Sequence, residues 1–215
     1  MSTSNPGRQL LASLKQMAGH PCELVLPVGR PVESYLRTVA TQRDRLNPKD
    51  LACLTEWRNR FVTSFLTEFE ATEARTADWL VRVVGPDPGK ILFMVDDPNG
   101  RTFGYMGLGF INWERMTGEA DAAVRGAEAP PGAMGRAFAA MMTWAGAALG
   151  IAKLSGRVRS DNPSLPFFPK IGLVESHRVP LVRTEEPGLV RYAEGAGPPS
   201  GVSLVHMKWT GRSQA

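Results

Sequence analysis

Cysteine and histidine are scarce in this chain. Cys22 and Cys53 are the only thiols, and His20, His177 and His206 the only imidazoles, among 215 residues. They are scattered and show no metal-ligand spacing, so no metal is expected and all five read as packing or surface residues. Long apolar runs are also missing. No stretch approaches the ~20 residues a membrane span needs. The N-terminus MSTSNPGRQL has no basic region followed by an apolar run, so no signal peptide is read. These absences make the cytoplasm the expected location, with no membrane partner. No run of Lys or Arg is present, and the net charge of +4 is mild. Scattered charge of that size gives no support for a nucleic-acid partner. It suits an anionic ligand such as a nucleotide-bearing cofactor. No internal repeat and no low-complexity tract is found.

What remains is a chain with 43% hydrophobic residues, enough for one sizeable core. Residues Met1–Gly7 read as a loose start, Gln9–Ala18 as a short amphipathic helix and Glu23–Val28 as a short strand. Residues 1–34 are therefore expected to be an extension packed on a main domain of residues 35–215. Tyr35–Thr41 reads as a strand. Asn47-Pro48 is a strong helix start, a capping Asn before a first-turn Pro, and the helical spacing runs to about Phe61. A second helix fits Glu73–Val83.

A clear hairpin follows: Lys90–Asp96, a turn at Asp97-Pro-Asn-Gly100, and Thr102–Ile111. Gly118–Arg125 reads as a third strand. The Pro/Gly segment Ala127–Gly132 then leads into a helix over Ala133–Leu149, whose Phe138, Met141, Met142, Ala145 and Leu149 form one apolar stripe. Leu154–Ser160 reads as a strand and Asp161–Ile171 as a proline-rich turn or short helix. Val179–Val182, Leu189–Ala193 and Val202–Trp209 close the chain as strands. Hairpins in the middle and a helical crossover after them predict an α/β or α+β layered fold, a mixed sheet with helices on both faces.

The chemistry concentrates around residues 119–136. Ala129-Pro-Pro-Gly-Ala-Met-Gly-Arg136 joins a strand to an apolar-striped helix. Its glycines let the backbone approach a ligand, and the free N–H groups of a helix start favour a phosphate or pyrophosphate. Alone, such a segment is equally an entry turn. It is neither a Walker loop nor a spaced GxGxxG. Upstream, Glu119 and Asp121 lie two apart in a strand, so alternation puts them on one face, opposite Ala120, Ala122 and Val124. A carboxylate there can take an amine proton, or hold a cationic substrate.

The order of these parts resembles the GNAT superfamily of acetyl-CoA-dependent N-acetyltransferases over roughly residues 35–182. Trp57-Arg58-Asn59 resembles the WRN of its amino-sugar and ribosomal-protein branches. Gly132-Ala-Met-Gly-Arg-Ala137 falls at the start of the family's third helix. Asn162, Phe167-Phe168 and Lys170-x-Gly172-Leu173 are similar to its Asn…Phe-Tyr-x-Lys-x-Gly-Phe ending.

The resemblance implies a GNAT-like twisted, mostly antiparallel sheet. It implies acetyl-CoA as co-substrate, without a metal, and a small-molecule amine as acceptor. It places CoA against Val124, Arg125, Pro131, Gly132, Ala133, Met134, Gly135, Arg136, Asn162 and Phe168, and base chemistry on Glu119 and Asp121. Backbone N–H groups near Val124 and Arg125 would face the thioester oxygen. Ala129 stands where the family has Gln or Arg, and Met134 where it has Gly or Ala. Arg125 or Arg136 is expected to supply the missing charge. Phe168 stands at the family's Tyr and has no proton to give. Of the three tyrosines, Tyr35, Tyr105 and Tyr192, Tyr105 faces either the site or the core.

The stretches 119–126 and 131–134 resemble acetyltransferases of nucleotide-linked amino sugars. A protein N-terminus and an antibiotic amine remain alternative acceptors. A non-catalytic acyl-CoA-binding module is the rival from another class. Trp113, Glu114 and Arg115 are expected to shape the acceptor pocket. The C-terminal strands can close that pocket or form a sheet across a homodimer.

Overall fold

A computed structural model describes residues 5–211; of the loose start expected at the N-terminus, residues 1–4 lie outside them. Two faces of one ten-stranded sheet carry the helices. The elements in chain order are α1 (Pro6–Met17), β1 (Val25–Val28), β2 (Ser34–Thr38), α2 (Pro48–Arg60), β3 (Thr67–Glu68), α3 (Glu73–Trp79), β4 (Ile91–Asp96), β5 (Thr102–Asn112), β6 (Thr117–Arg125), α4 (Ala133–Ala148), β7 (Lys153–Arg159), β8 (Leu173–Glu186), β9 (Leu189–Glu194) and β10 (Pro199–Trp209). The strand order is β1-β2-β4-β5-β6-β7-β10-β8-β9-β3. β6 and β7 are the parallel pair, and every other pairing is antiparallel.

The same local device starts two helices. Asn47 Oδ1 accepts from the Lys49 N–H and Pro48 opens α2. Asn5 Oδ1 accepts from the Arg8 N–H and Pro6 opens α1. The helix therefore begins at Pro6, so Pro6 and Gly7 are helical rather than part of a loose start. Leu11 and Leu14 of α1 and Val28 of β1 bury in the same core as α4, and Lys15 donates to the carbonyls of Val84 (2.6 Å) and Asp87 (2.8 Å).

On one face of the sheet, α4 buries Phe138, Met141, Met142, Ala145 and Leu149, the stripe expected from spacing. On the other, α2 and the turn after α3 cover Met94, Tyr105 and Val124 with Leu54, Trp57 and Leu80. Trp57-Arg58-Asn59 divides its work. Trp57 stacks parallel to Tyr105, 6.2 Å between ring centres. Arg58 enters a cavity described below. Asn59 exchanges two hydrogen bonds with the Ala71 backbone and so fixes the α2–α3 loop.

Some boundaries differ from the sequence reading. The segment expected as Val179–Val182 is the middle of β8, a fourteen-residue strand. Pro180 masked its length: it lies opposite Ser203, next to a break in the ladder with β10. The two-residue strand β3 was not expected; it pairs Thr67 and Glu68 with Arg191 and Val190 at the sheet edge. The helix after Glu73 ends in a π-helical turn, Leu80–Val84, where the Gly85 N–H reaches the Leu80 carbonyl. The proline-rich segment is a short 3₁₀ helix, Leu165–Ile171.

Candidate active site at the parting of β6 and β7

The pairing of β6 with β7 runs from Thr117–Lys153 to Ala120–Gly156 and stops there. Beyond it, Asp121–Val124 and Arg157–Arg159 line two sides of a cleft of about 300 Å³. Two features of β6 open it. Ala122 takes a positive φ of 53°, and the register with β5 slips between Tyr105–Val124 and Gly107–Asp121. This is a β-bulge, and it re-aims the residues after it.

The bulge corrects the expected alternation. Glu119 and Asp121 do share a face, and Ala120 packs on the α4 side. Ala122 and Val124, however, join the cluster under α2 and α3 instead of facing away from the carboxylates. Period-two counting fails at one residue in the left-handed region, and an alanine there carries no signal a sequence reader would recognise.

Both carboxylates have cationic partners. Arg157 Nε donates to Glu119 at 2.6 Å, and Lys90 Nζ lies 2.8 Å from Asp121. Phe110 sits against both cations, 4.7 Å from the Arg157 guanidinium carbon and 6.0 Å from Lys90 Nζ. Arg159 forms a third node. It is 4% exposed, bonds Asp161 through two nitrogens, Glu68 and the Phe65 carbonyl, and stacks on Tyr192 at 3.9 Å. It thereby ties the α2–α3 loop and β3 to the end of β7. Arg157, Arg159 and Lys90 were missed from the sequence. The available signal was Arg157 and Arg159 alternating on a strand just before Asp161.

Behind the cleft, on the α4 side, lies a groove lined by Met106, Ala123, Arg125, Pro130, Gly132–Gly135, Phe138 and Phe167-Phe168. Gly132 adopts φ 77° and turns the chain into α4. The Ala133 N–H donates to the Pro130 carbonyl and the Arg136 N–H to the Gly132 carbonyl, which leaves the amides of Met134 and Gly135 without an acceptor one turn earlier. A Cβ at Gly135 would come within 3.0 Å of Ile171 Cγ2 and 3.3 Å of Phe167 Cζ, so glycine keeps this wall open. The Met134 side chain folds over Gly104, a position where a Cβ would lie 2.7 Å from its sulfur. Methionine at this family glycine or alanine position thus leaves the loop backbone bare.

The residues expected to hold a nucleotide-bearing thioester divide as follows. Gly132, Ala133, Met134, Gly135, Arg125 and Phe168 line the groove, and Val124, Asn162 and Phe168 line the cleft. Pro131 contributes its carbonyl to Arg136 instead. Arg136 turns out of the groove and pairs with Glu33 at 2.5 Å, so it holds the loop from outside rather than supplying charge within it. Asn162 Oδ1 is committed to the Ser164 N–H, starting the 3₁₀ helix. The bare glycine wall, the helix start and Arg125 fit a pyrophosphate and its pantetheine arm.

On the α2/α3 side a further cavity of about 360 Å³ is lined by Arg58, Phe65, Phe69, Arg75, Trp79, Lys90, Tyr105, Asp121 and Ala122. It shares Phe65, Thr67, Asp121 and Ala122 with the cleft, which shares Ala123, Phe138 and Phe168 with the groove. Groove, cleft and cavity therefore adjoin one another around the parted strands. Tyr105 lies at the bottom of this cavity and is 3% exposed; burial holds its phenol well above the ordinary value. Trp113, Glu114 and Arg115 do not reach the cavity. They form the β5–β6 turn at the paired end of β6, where Trp113 Nε1 donates to the Pro88 carbonyl and Asn112 Oδ1 accepts from the Glu114 and Arg115 amides.

Among the described residues no His/Cys/Asp/Glu group of metal-binding size occurs, and no helix is long and apolar enough to cross a membrane. No family model matches the chain, and no curated protein matches it by sequence. Solved structures do match by shape. A probable GNAT-family acetyltransferase from Chromobacterium violaceum aligns with TM-score 0.65 at 12% identity, over 90% of this chain and 89% of that one. A GCN5-related N-acetyltransferase from Brucella melitensis gives 0.61 at 17%, over 87% and 79%. Spermidine N-acetyltransferase from Vibrio cholerae, in complex with CoA and spermine, gives 0.61 at 17%, over 83% and 96%. With its mixed, mostly antiparallel sheet and helices on both faces, the chain has the fold of the GNAT acetyltransferases.

Proposed function

We propose that the protein transfers an acetyl group from acetyl-CoA to a primary amine of a small acceptor. The observation that carries this reading is the adjoining arrangement of the groove at the start of α4, the cleft where β6 and β7 part, and the cavity under α2 and α3. A thioester entering from the groove and an amine entering from the cavity meet in the cleft. The solved relative described with CoA supports the first half.

Acetyl-CoA supplies an activated acyl carbon; the amine nitrogen bonds to it and the carbon–sulfur bond breaks. The chain's residues do the rest. Backbone amides near Val124 and Arg125, on the stretch of β6 parted from β7, face developing charge on the carbonyl oxygen. Glu119 or Asp121 receives the amine proton, directly or through water. Arg157 and Lys90 hold these carboxylates in place, and the proton passes onward to solvent. Phe168 offers no proton to the leaving thiolate, and buried Tyr105 gives up its own reluctantly. With a thiol pKa of ~8.5, water is sufficient.

The acceptor is read more finely from the sequence than from the fold. The stretches 119–126 and 131–134 support an amino sugar or nucleotide-linked amino sugar. The Vibrio cholerae relative, bound to spermine, instead brings a polyamine into consideration. Phe168 at the family's Tyr favours a second reading, an acyl-CoA-binding module without turnover. Free-thiol release from acetyl-CoA across a panel of amines tests the proposal. Amine-dependent release supports the enzyme, whereas tight CoA binding with no release for any amine supports the module.

A further inference from the structure

The cavity under α2 and α3 is richer in cations than in anions, and the surplus is specific. Around the cleft and cavity, Lys90 is matched by Asp121, Arg157 by Glu119, and Arg159 by Glu68 and Asp161. Arg58 and Arg75 are different. Among the described residues neither has a carboxylate within ion-pair distance. Arg58 lies over Phe65 at 3.9 Å and Phe69 at 4.7 Å, and Arg75 approaches the same Phe69 ring at 4.9 Å. Arg58 Nη2 donates to the Thr67 carbonyl and hydroxyl, and Arg75 Nη1 to the Glu70 carbonyl. Arg58 Nη1 is buried without any hydrogen-bond partner. Burial depresses the Arg58 pKa, and the nearby charge of Glu68, itself bonded to Arg159, offsets only part of that effect. A buried guanidinium donor left unmatched is costly in a finished protein, and a small shift of the Arg58 head toward the cavity would let an arriving anion satisfy it.

We propose that the acceptor amine carries an anionic group, a carboxylate or phosphate, which docks on Arg58 and Arg75 against the Phe65–Phe69 wall while its amino group points to Asp121 and the cleft. This rests on the acetyltransferase reading and narrows it. The arrangement selects against polycationic amines, because Arg58 and Arg75 repel a second positive charge and the carboxylates that would attract one are already paired. The Vibrio cholerae relative described with spermine therefore shares this chain's fold and not its acceptor class.

The test uses the full chain and amines that differ in one group: ethanolamine, serine and phosphoethanolamine, then glucosamine and its phosphate ester, with spermidine as the polycation. Wild type is expected to turn over or bind the anionic member of each series at least about tenfold better than its neutral parent, the scale of one charge-assisted hydrogen bond. Serine against phosphoethanolamine decides between carboxylate and phosphate. Arg75 is exposed, so Arg75→Gln should fold normally. It should raise KM for the anionic amines toward the neutral level, leaving kcat within a few-fold. Preference for spermidine or for the neutral amines, or an anion preference untouched by Arg75→Gln, would overturn the proposal. Calorimetric titration keeps the two readings separate. Anionic amines that bind wild type and not Arg75→Gln, without any thiol release, uphold the anion site and sink the enzyme. Thiol release with no anion preference does the reverse.

Discussion

Gly126 illustrates how tightly single residues determine this site. A Cβ there would fall 1.9 Å from Trp57 Cδ2, inside the indole. Neither the ring, stacked on Tyr105, nor the backbone, whose Gly126 N–H donates to the Phe103 carbonyl, has room to retreat. Gly126→Ala should therefore cost about 2–3 kcal/mol or more, a fall of roughly 5–10 °C in melting temperature for a chain this long. A variant melting with wild type would mean that α2 is not seated on β6 as described. Glu119 carries the corresponding functional prediction. Glu119→Gln keeps an acceptor for Arg157 Nε, so the cleft should survive. It removes the carboxylate charge, so kcat should fall by roughly a hundredfold or more if it relays the amine proton, with acetyl-CoA affinity retained. Rates near wild type between about pH 6 and 9 would hand the role to Asp121 or to water.

Elements made this fold legible, and local irregularities hid the rest. Asn47-Pro48, the apolar stripe of α4 and the Asp97–Gly100 turn each have a local cause, and each element stands where that cause puts it. The groove glycines were also readable, because a helix start and a bare backbone are written in adjacent residues. The bulge at Ala122 was not, since alanine gives no reason to adopt φ 53° except the tertiary demand to part β6 from β7. The ion pairs of Arg157 and Lys90 join residues remote in sequence, so no spacing rule finds them. Gly135→Leu belongs to this scale. It should drive a side chain into Ile171 and Phe167, and weaken acetyl-CoA binding at least about tenfold with the sheet intact by circular dichroism. Unchanged affinity would move the ligand off the α4 loop.

Across the whole molecule, the N-terminal helix is joined to the rest through Lys15. Burial, offset in part by Asp87, lowers its pKa from 10.5 to about 8. The unfolded chain therefore binds the extra proton between these values, and stability from this group rises with pH through that window; below about pH 8 the charged lysine is buried at a cost. Chemical denaturation at several pH values should show wild type gaining stability relative to Lys15→Met between about pH 8 and 10.5. Parallel curves would place Lys15 outside the core.

The central claim concerns the adjoining groove and cleft, and backbone amide chemical shifts recorded during titration with acetyl-CoA test it most directly. Binding should perturb Gly132–Arg136 at the start of α4 and Ala120–Arg125 on the parted strand together, at one ligand concentration. Perturbation of the α4 loop without the parted strand, perturbation elsewhere, or no binding at all would contradict the account.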